Sequence, residues 1–116
     1  MTIEELANQT GMDLFPAERE LSSVSLVHGG STMSGLIAGA TPDTLLVTAL
    51  CNNQLVRVAE LMDVPGLCFA SPARPDAGLR ELARQRGVAI LVSAWDLEET
   101  TCRLQRCLQR QGAVPR

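Results

Sequence analysis

The sequence predicts an α/β domain in which a mostly parallel sheet of four to five strands is flanked by helices. Three observations lead there. Short apolar, β-prone runs recur at residues 24–27, 44–50, 67–70 and 88–93. Between and after them, apolar residues return at i, i+3, i+4, the spacing of one helix face. The strand runs are nearly unbroken rather than alternating, as expected of strands covered on both faces, and strand–helix–strand repeats imply right-handed crossovers. At 116 residues the chain reads as one domain, 1–116, able to bury a core without disulfide or metal staples.

Each element has a local reason. Thr2 and Glu5 form a capping box ahead of the apolar stripe Ile3, Leu6, Ala7, giving a short helix that ends near Gly11. Residues 12–23 contain Pro16 and mixed polarity, and read as a loop with one brief extended piece. Val24-Ser25-Leu26-Val27 is the first main strand; after His28-Gly29-Gly30-Ser31-Thr32, residues Met33, Leu36 and Ile37 share one side of a short helix. Thr44 to Leu50 form the next strand, followed by a helix capped by Asn52 or Asn53 whose stripe is Leu55, Val58, Ala59, Met62. Leu67-Cys68-Phe69-Ala70 is the third strand. The Ser71-Pro72-Ala73-Arg74-Pro75 loop leads to a helix starting at Asp76 with Leu79, Leu82 and Ala83 inward, and Gly87 is placed to end it in a left-handed conformation. Val88 to Ser93 is the fourth strand. Asp96 then caps a helix with Leu97, Thr101, Leu104 and Leu108 inward, running to about Gln111 before a frayed tail, 112–116.

Composition excludes several function classes. Hydrophobic residues at 46% and charged residues at 20% describe a globular chain, and no apolar run approaches the roughly 18 residues of a membrane helix. The acidic start, Met-Thr-Ile-Glu-Glu, lacks the basic and apolar stretches of a signal peptide, so a cytoplasmic location is expected. A net charge of −3 and a pI near 5.0 argue against general nucleic-acid binding, which needs excess positive charge. All positive charge is arginine, and Arg103, Arg106, Arg110 and Arg116 read as a solvated helix face. The four cysteines, Cys51, Cys68, Cys102 and Cys107, contain no Cys-x-x-Cys pair and have no histidine at ligand spacing, so no metal or other cofactor is expected.

Ligands of open parallel sheets bind beyond the carboxyl ends of the strands. Four loops therefore hold the candidate ligand-binding residues: His28, Gly29, Gly30, Ser31 and Thr32; Cys51, Asn52 and Asn53; Ser71 and Arg74; and Ser93, Trp95 and Asp96. A single pocket lined by all four is the expectation. Neutral polar groups, one imidazole, one arginine and one indole suit binding through hydrogen bonds better than acid–base work. The Gly29-Gly30-Ser31-Thr32 turn offers amides to an anion but lacks the phosphate-loop and dinucleotide patterns. His28 reads as a hydrogen-bonded strand-end histidine, Cys51 as a nucleophile only if a helix terminus lowers its pKa. Trp95 reads as a pocket lid or a subunit contact. No catalytic residue is expected, and the chain is not expected to be an enzyme.

Several segments carry a family resemblance: the Thr2 to Ala7 helix, Gly30 to Ile37, Ala40 to Thr48, Asn53 to Ala59, Pro75-Asp76, Leu82 to Val88, Ile90 to Ser93 and Asp96 to Thr100. Together they cover almost the whole chain, which resembles the DRTGG domain family. That family is similar to the N-terminal domain of HPr kinase and, more distantly, to the N-terminal domain of Mur ligases. The signature stretch departs from the family: Cys51-Asn52-Asn53 stands where relatives carry Asp-Arg, and Ala70-Ser71-Pro72 where they carry Thr-Gly-Gly. The resemblance implies a stand-alone regulatory or ligand-sensing module, of a kind found beside redox and hydrogenase genes. It further implies a homodimer with a small polar metabolite, a nucleotide or a protein as partner. A dimerisation or adaptor module without ligand is the alternative, and a minimal enzyme using Cys51 or His28 a third.

Overall fold

A computed structural model describes residues 1–18 and 23–112, with the side chains of 111 and 112 left out. The strands are β1 (Asp13–Phe15), β2 (Leu26–Gly29), β3 (Thr44–Thr48), β4 (Gly66–Phe69) and β5 (Ala89–Val92). The helices are α1 (Ile3–Thr10), α2 (Met33–Ala38), α3 (Asn53–Leu61), α4 (Ala77–Gln85) and α5 (Leu97–Gly112). The sheet has five strands in the order β1-β5-β4-β3-β2. Strands β2 to β5 are parallel, and β1 lies antiparallel to β5.

Because β2 to β5 follow one another across the sheet, each right-handed crossover places its helix on the same face. Accordingly α2, α3 and α4 pack on one face, where Leu36, Leu55, Val56, Ala59, Leu79 and Ala83 meet Leu46, Leu67, Phe69 and Ile90. The other face is covered by α1 and α5, with Ile3, Leu6, Leu104 and Cys107 against Leu45, Val47, Cys68 and Leu91. Every residue of β3 and β4 is buried, which is why these strands read as continuous apolar runs. The long α5 crosses back over the sheet to lie above β2 and, to a lesser extent, β3.

Local signals account for the boundaries. Both halves of the Thr2–Glu5 capping box form, and α1 ends at Gly11 with φ of 76°. Hydrogen bonds from the Thr2 backbone amide and side chain hold the Glu5 carboxyl below its ordinary pKa. Gly87 adopts φ of 77°, and the Val88 amide closes the end of α4 by donating to the Ala83 carbonyl at 2.9 Å. The first main strand starts later than its apolar run, at Leu26 rather than Val24. Val24 is drawn away because its amide donates to the Met1 carbonyl, and its side chain joins the core under α1. The extended piece expected within 12–23 is β1, paired Asp13 to Val92 through Phe15 to Ile90. Helix α5 includes Gly112, the first residue of the expected tail; residues 113–116 lie outside the described residues.

Exposed charge adds little to this core. Arg84 bridges Glu18 and Glu81, and with Gln85 it holds the Glu81 carboxyl at a pKa of about 2. These groups are solvated, and such surface networks contribute little to stability. No described helix is long and apolar enough to cross a membrane.

Candidate functional site

The chain leaves β4 toward α4 on one face and leaves β5 toward α5 on the other. Adjacent strands whose connections splay to opposite faces open a crevice at their carboxyl ends, the usual ligand position in open α/β sheets. A cleft of about 300 Å³ lies there, lined by Asp13, residues 71–74 and residues 92–94. Its rim is well braced. The Ala70 amide donates to the Thr48 carbonyl (2.9 Å), Ser93 to Phe69 (2.9 Å) and Ser71 to Trp95 (2.8 Å), so the two loops are tied to each other and to the sheet. The Ser71–Pro72 peptide is cis.

Of the candidate residues, Ser71, Arg74 and Ser93 come together in this crevice. Arg74 is exposed, with its guanidinium in no ion pair among the described residues. Ser93 is buried, and its hydroxyl is already engaged. It lies 2.7 Å from the hydroxyl of Thr100 and accepts from the Trp95 amide at 3.0 Å, while Thr100 donates to the Trp95 carbonyl. Thr100, itself fully buried, is the structural residue sequence reasoning missed. A threonine one turn into an amphipathic helix, next to an inward stripe, was its only signal.

The other candidates sit elsewhere. His28 and Gly29, at the end of β2, line an open groove with Asp96 and the start of α5. His28 Nε2 lies 2.8 Å from the Gly35 carbonyl, a bond that requires Nε2 to carry the proton. A Cβ at Gly39 would fall on the imidazole ring, so the glycine lets α2 close down on His28. Thr32 caps α2 by accepting from the Gly35 amide at 3.1 Å, and the Gly30 amide donates to Val47. Ser31 is exposed beside them. Asn52, rather than Asn53, caps α3 through the Gln54 amide at 2.8 Å, leaving Asn53 as the first helical residue. Asp96 caps α5 by accepting from Glu99 at 2.9 Å. Trp95 packs against the core under α1 and α5, with the Arg103 guanidinium 3.8 Å above its ring.

The single four-loop pocket is thus divided into a crevice at β4 and β5 and a groove at β2. The physical reason is strand order, which puts β2 at the sheet edge, three positions from β5. The cysteines separate in the same way. Cys68 is fully buried and its thiol is pushed up to about 12 by burial. At Cys51 burial again raises the thiol, outweighing a hydrogen bond from the Arg74 backbone, and Asp76 adds to the rise. Native-state alkylation at pH 8 is therefore expected to modify Cys51 and Cys102, with Cys51 slower than an unperturbed thiol, and to spare Cys68 and Cys107 until the protein unfolds. Peptide mass mapping over a time course checks this. Among the described residues, no three His, Cys, Asp or Glu side chains are grouped as metal ligands would be.

No protein-family model matches the chain, and no curated protein matches it.

Proposed function

We propose that this chain is a non-catalytic regulatory or ligand-sensing domain, cytoplasmic and homodimeric, that holds a small polar metabolite in the crevice between β4 and β5. The observation that carries this reading is the crevice itself, with the uncommitted Arg74 on its rim. A guanidinium presents paired donors that match a carboxylate or phosphate. At about 300 Å³ the cleft stands at the small end of ligand pockets, roughly 300–1,000 Å³, which favours a metabolite of a few carbons over a nucleotide. The raised Cys51 thiol and the bond from His28 to Gly35 support a binding role over a thiol- or imidazole-based reaction. The resemblance to DRTGG domains supports the regulatory reading and a link to redox or hydrogenase metabolism. The adaptor alternative is favoured by a different observation, the open edge of β2, and predicts no small ligand at all.

A thermal-shift panel of small carboxylates, phosphorylated metabolites and nucleotides separates the two. The proposal predicts saturable stabilisation by a small anionic compound, of about 2.7 kcal/mol at a hundredfold excess over Kd, lost in Arg74→Ala. No stabilisation by any compound overturns ligand sensing and leaves the adaptor reading. Stabilisation confined to nucleotides overturns the size argument.

A further inference from the structure

Two opposite charges share the crevice between β4 and β5 and do not pair. Among the described residues its lining holds one acid, Asp13, and one base, Arg74; the other polar side chains are Ser71 and Ser93. Asp13 and Arg74 are both exposed, and neither belongs to an ion pair among the described residues. Ser93 is committed to Thr100 and to the Trp95 amide. The cleft is therefore neutral in sum, with a carboxylate and a guanidinium each open to a ligand.

The fold puts Asp13 there. Because β1 runs antiparallel to β5, its first residue lies at the carboxyl end of β5, with Asp13 opposite Val92. Residues paired across strands share a face, and so do alternate residues of one strand. Val92, Phe15 and Ala73 all pack on the face covered by α2, α3 and α4, whereas Leu14 packs on the other. Asp13 thus stands on the face toward which the 71–74 loop turns. Arg74 is held in place through its main chain. Its backbone hydrogen-bonds the Cys51 thiol, and the buried Pro75 that follows restricts it to extended backbone.

We infer that the ligand of this crevice is a small amino acid in its zwitterionic form, its carboxylate taken by Arg74 and its ammonium by Asp13. This rests on the crevice reading above and adds the ligand's second charge. A guanidinium offers a carboxylate paired donors, and an ammonium, which only donates, is met by a carboxylate acceptor. A plain anion gains Arg74 but is repelled by Asp13, and a plain cation meets the reverse. A ligand with both signs is attracted by each group. Phosphorylated compounds, with two negative charges, are the least suited. At about 300 Å³ the cleft favours the shorter amino acids.

Isothermal titration calorimetry of the full chain at pH 7 tests the assignment, with glycine, alanine, serine, threonine, valine and γ-aminobutyrate as probes. Each is run beside the acid that lacks its amino group, such as propionate for alanine. At least one amino acid is expected to bind, with its desamino acid weaker by about tenfold or more. Asp13→Asn is expected to remove that preference, weakening the amino acid and leaving the desamino acid equal or tighter. Arg74→Ala is expected to abolish binding of both. Should Asp13→Asn fail to fold, the wild-type comparison carries the test. Equal affinity for an amino acid and its desamino acid, or a preference that survives Asp13→Asn, overturns the zwitterion and leaves a small carboxylate in the crevice. No binding by any amino acid overturns the zwitterion as well, while the crevice reading then stands or falls on the wider thermal-shift panel.

Discussion

Phe69→Ala is expected to destabilise the domain by about 3–5 kcal/mol, the usual cost of emptying a fully buried phenylalanine site. Phe69 is the largest of the fully buried side chains and lies in β4, between β3 and β5, against the helices of one face. Strand neighbours on both sides and helices above leave little room for collapse. Against a total stability of about 5–15 kcal/mol, the variant should sit near the edge of folding. Its thermal midpoint should fall by on the order of 15 °C. Calorimetry of Phe69→Ala beside Leu61→Ala checks this, since Leu61 is 84% exposed and its truncation should change stability by less than about 0.5 kcal/mol. Equal midpoints for the two variants would mean that Phe69 is not at the centre of this core.

Thr100→Val is the second large effect, at about 1–3 kcal/mol, because it keeps the shape and removes a buried hydrogen-bonding group. The Thr100 hydroxyl joins Ser93 to the Trp95 carbonyl, and that carbonyl also receives the Ser71 amide. One side chain therefore braces both loops of the crevice. Urea titration should show the loss of stability, and ligand affinity should fall with it because the loops lose a common anchor. Thr101→Val is the companion: Thr101 bonds only to the Leu97 carbonyl of its own helix turn, so the crevice should be unaffected.

The middle of the fold is plain in the sequence because β3 and β4 are buried on both faces and carry almost nothing but apolar residues. The caps are nearly as plain, since Thr2, Asp76 and Asp96 each precede a helical stripe and each caps the helix that follows, while the pair Asn52-Asn53 marks the start of α3 without saying that Asn52 is the cap. Strand β1 is not, because Asp13-Leu14-Phe15 is too short for a periodicity, and nothing local encodes its antiparallel direction. Val24 has the residue type of a strand yet belongs to the core beneath α1, a choice made by the Met1 carbonyl far away in sequence. The site follows the same division. Each loop is legible as a strand end, but which loops share a cavity depends on strand order, and only the order β1-β5-β4-β3-β2 puts Ser71 and Arg74 with Ser93 and leaves His28 at the edge.

The most direct test of the crevice as the binding site is amide chemical-shift mapping of the isotope-labelled protein, titrated with the compound that gives the largest thermal shift. The account predicts saturable perturbations concentrated at residues 71–74 and 92–95 and at Asp13. Perturbations centred instead on residues 28–32 and the start of α5 would contradict it.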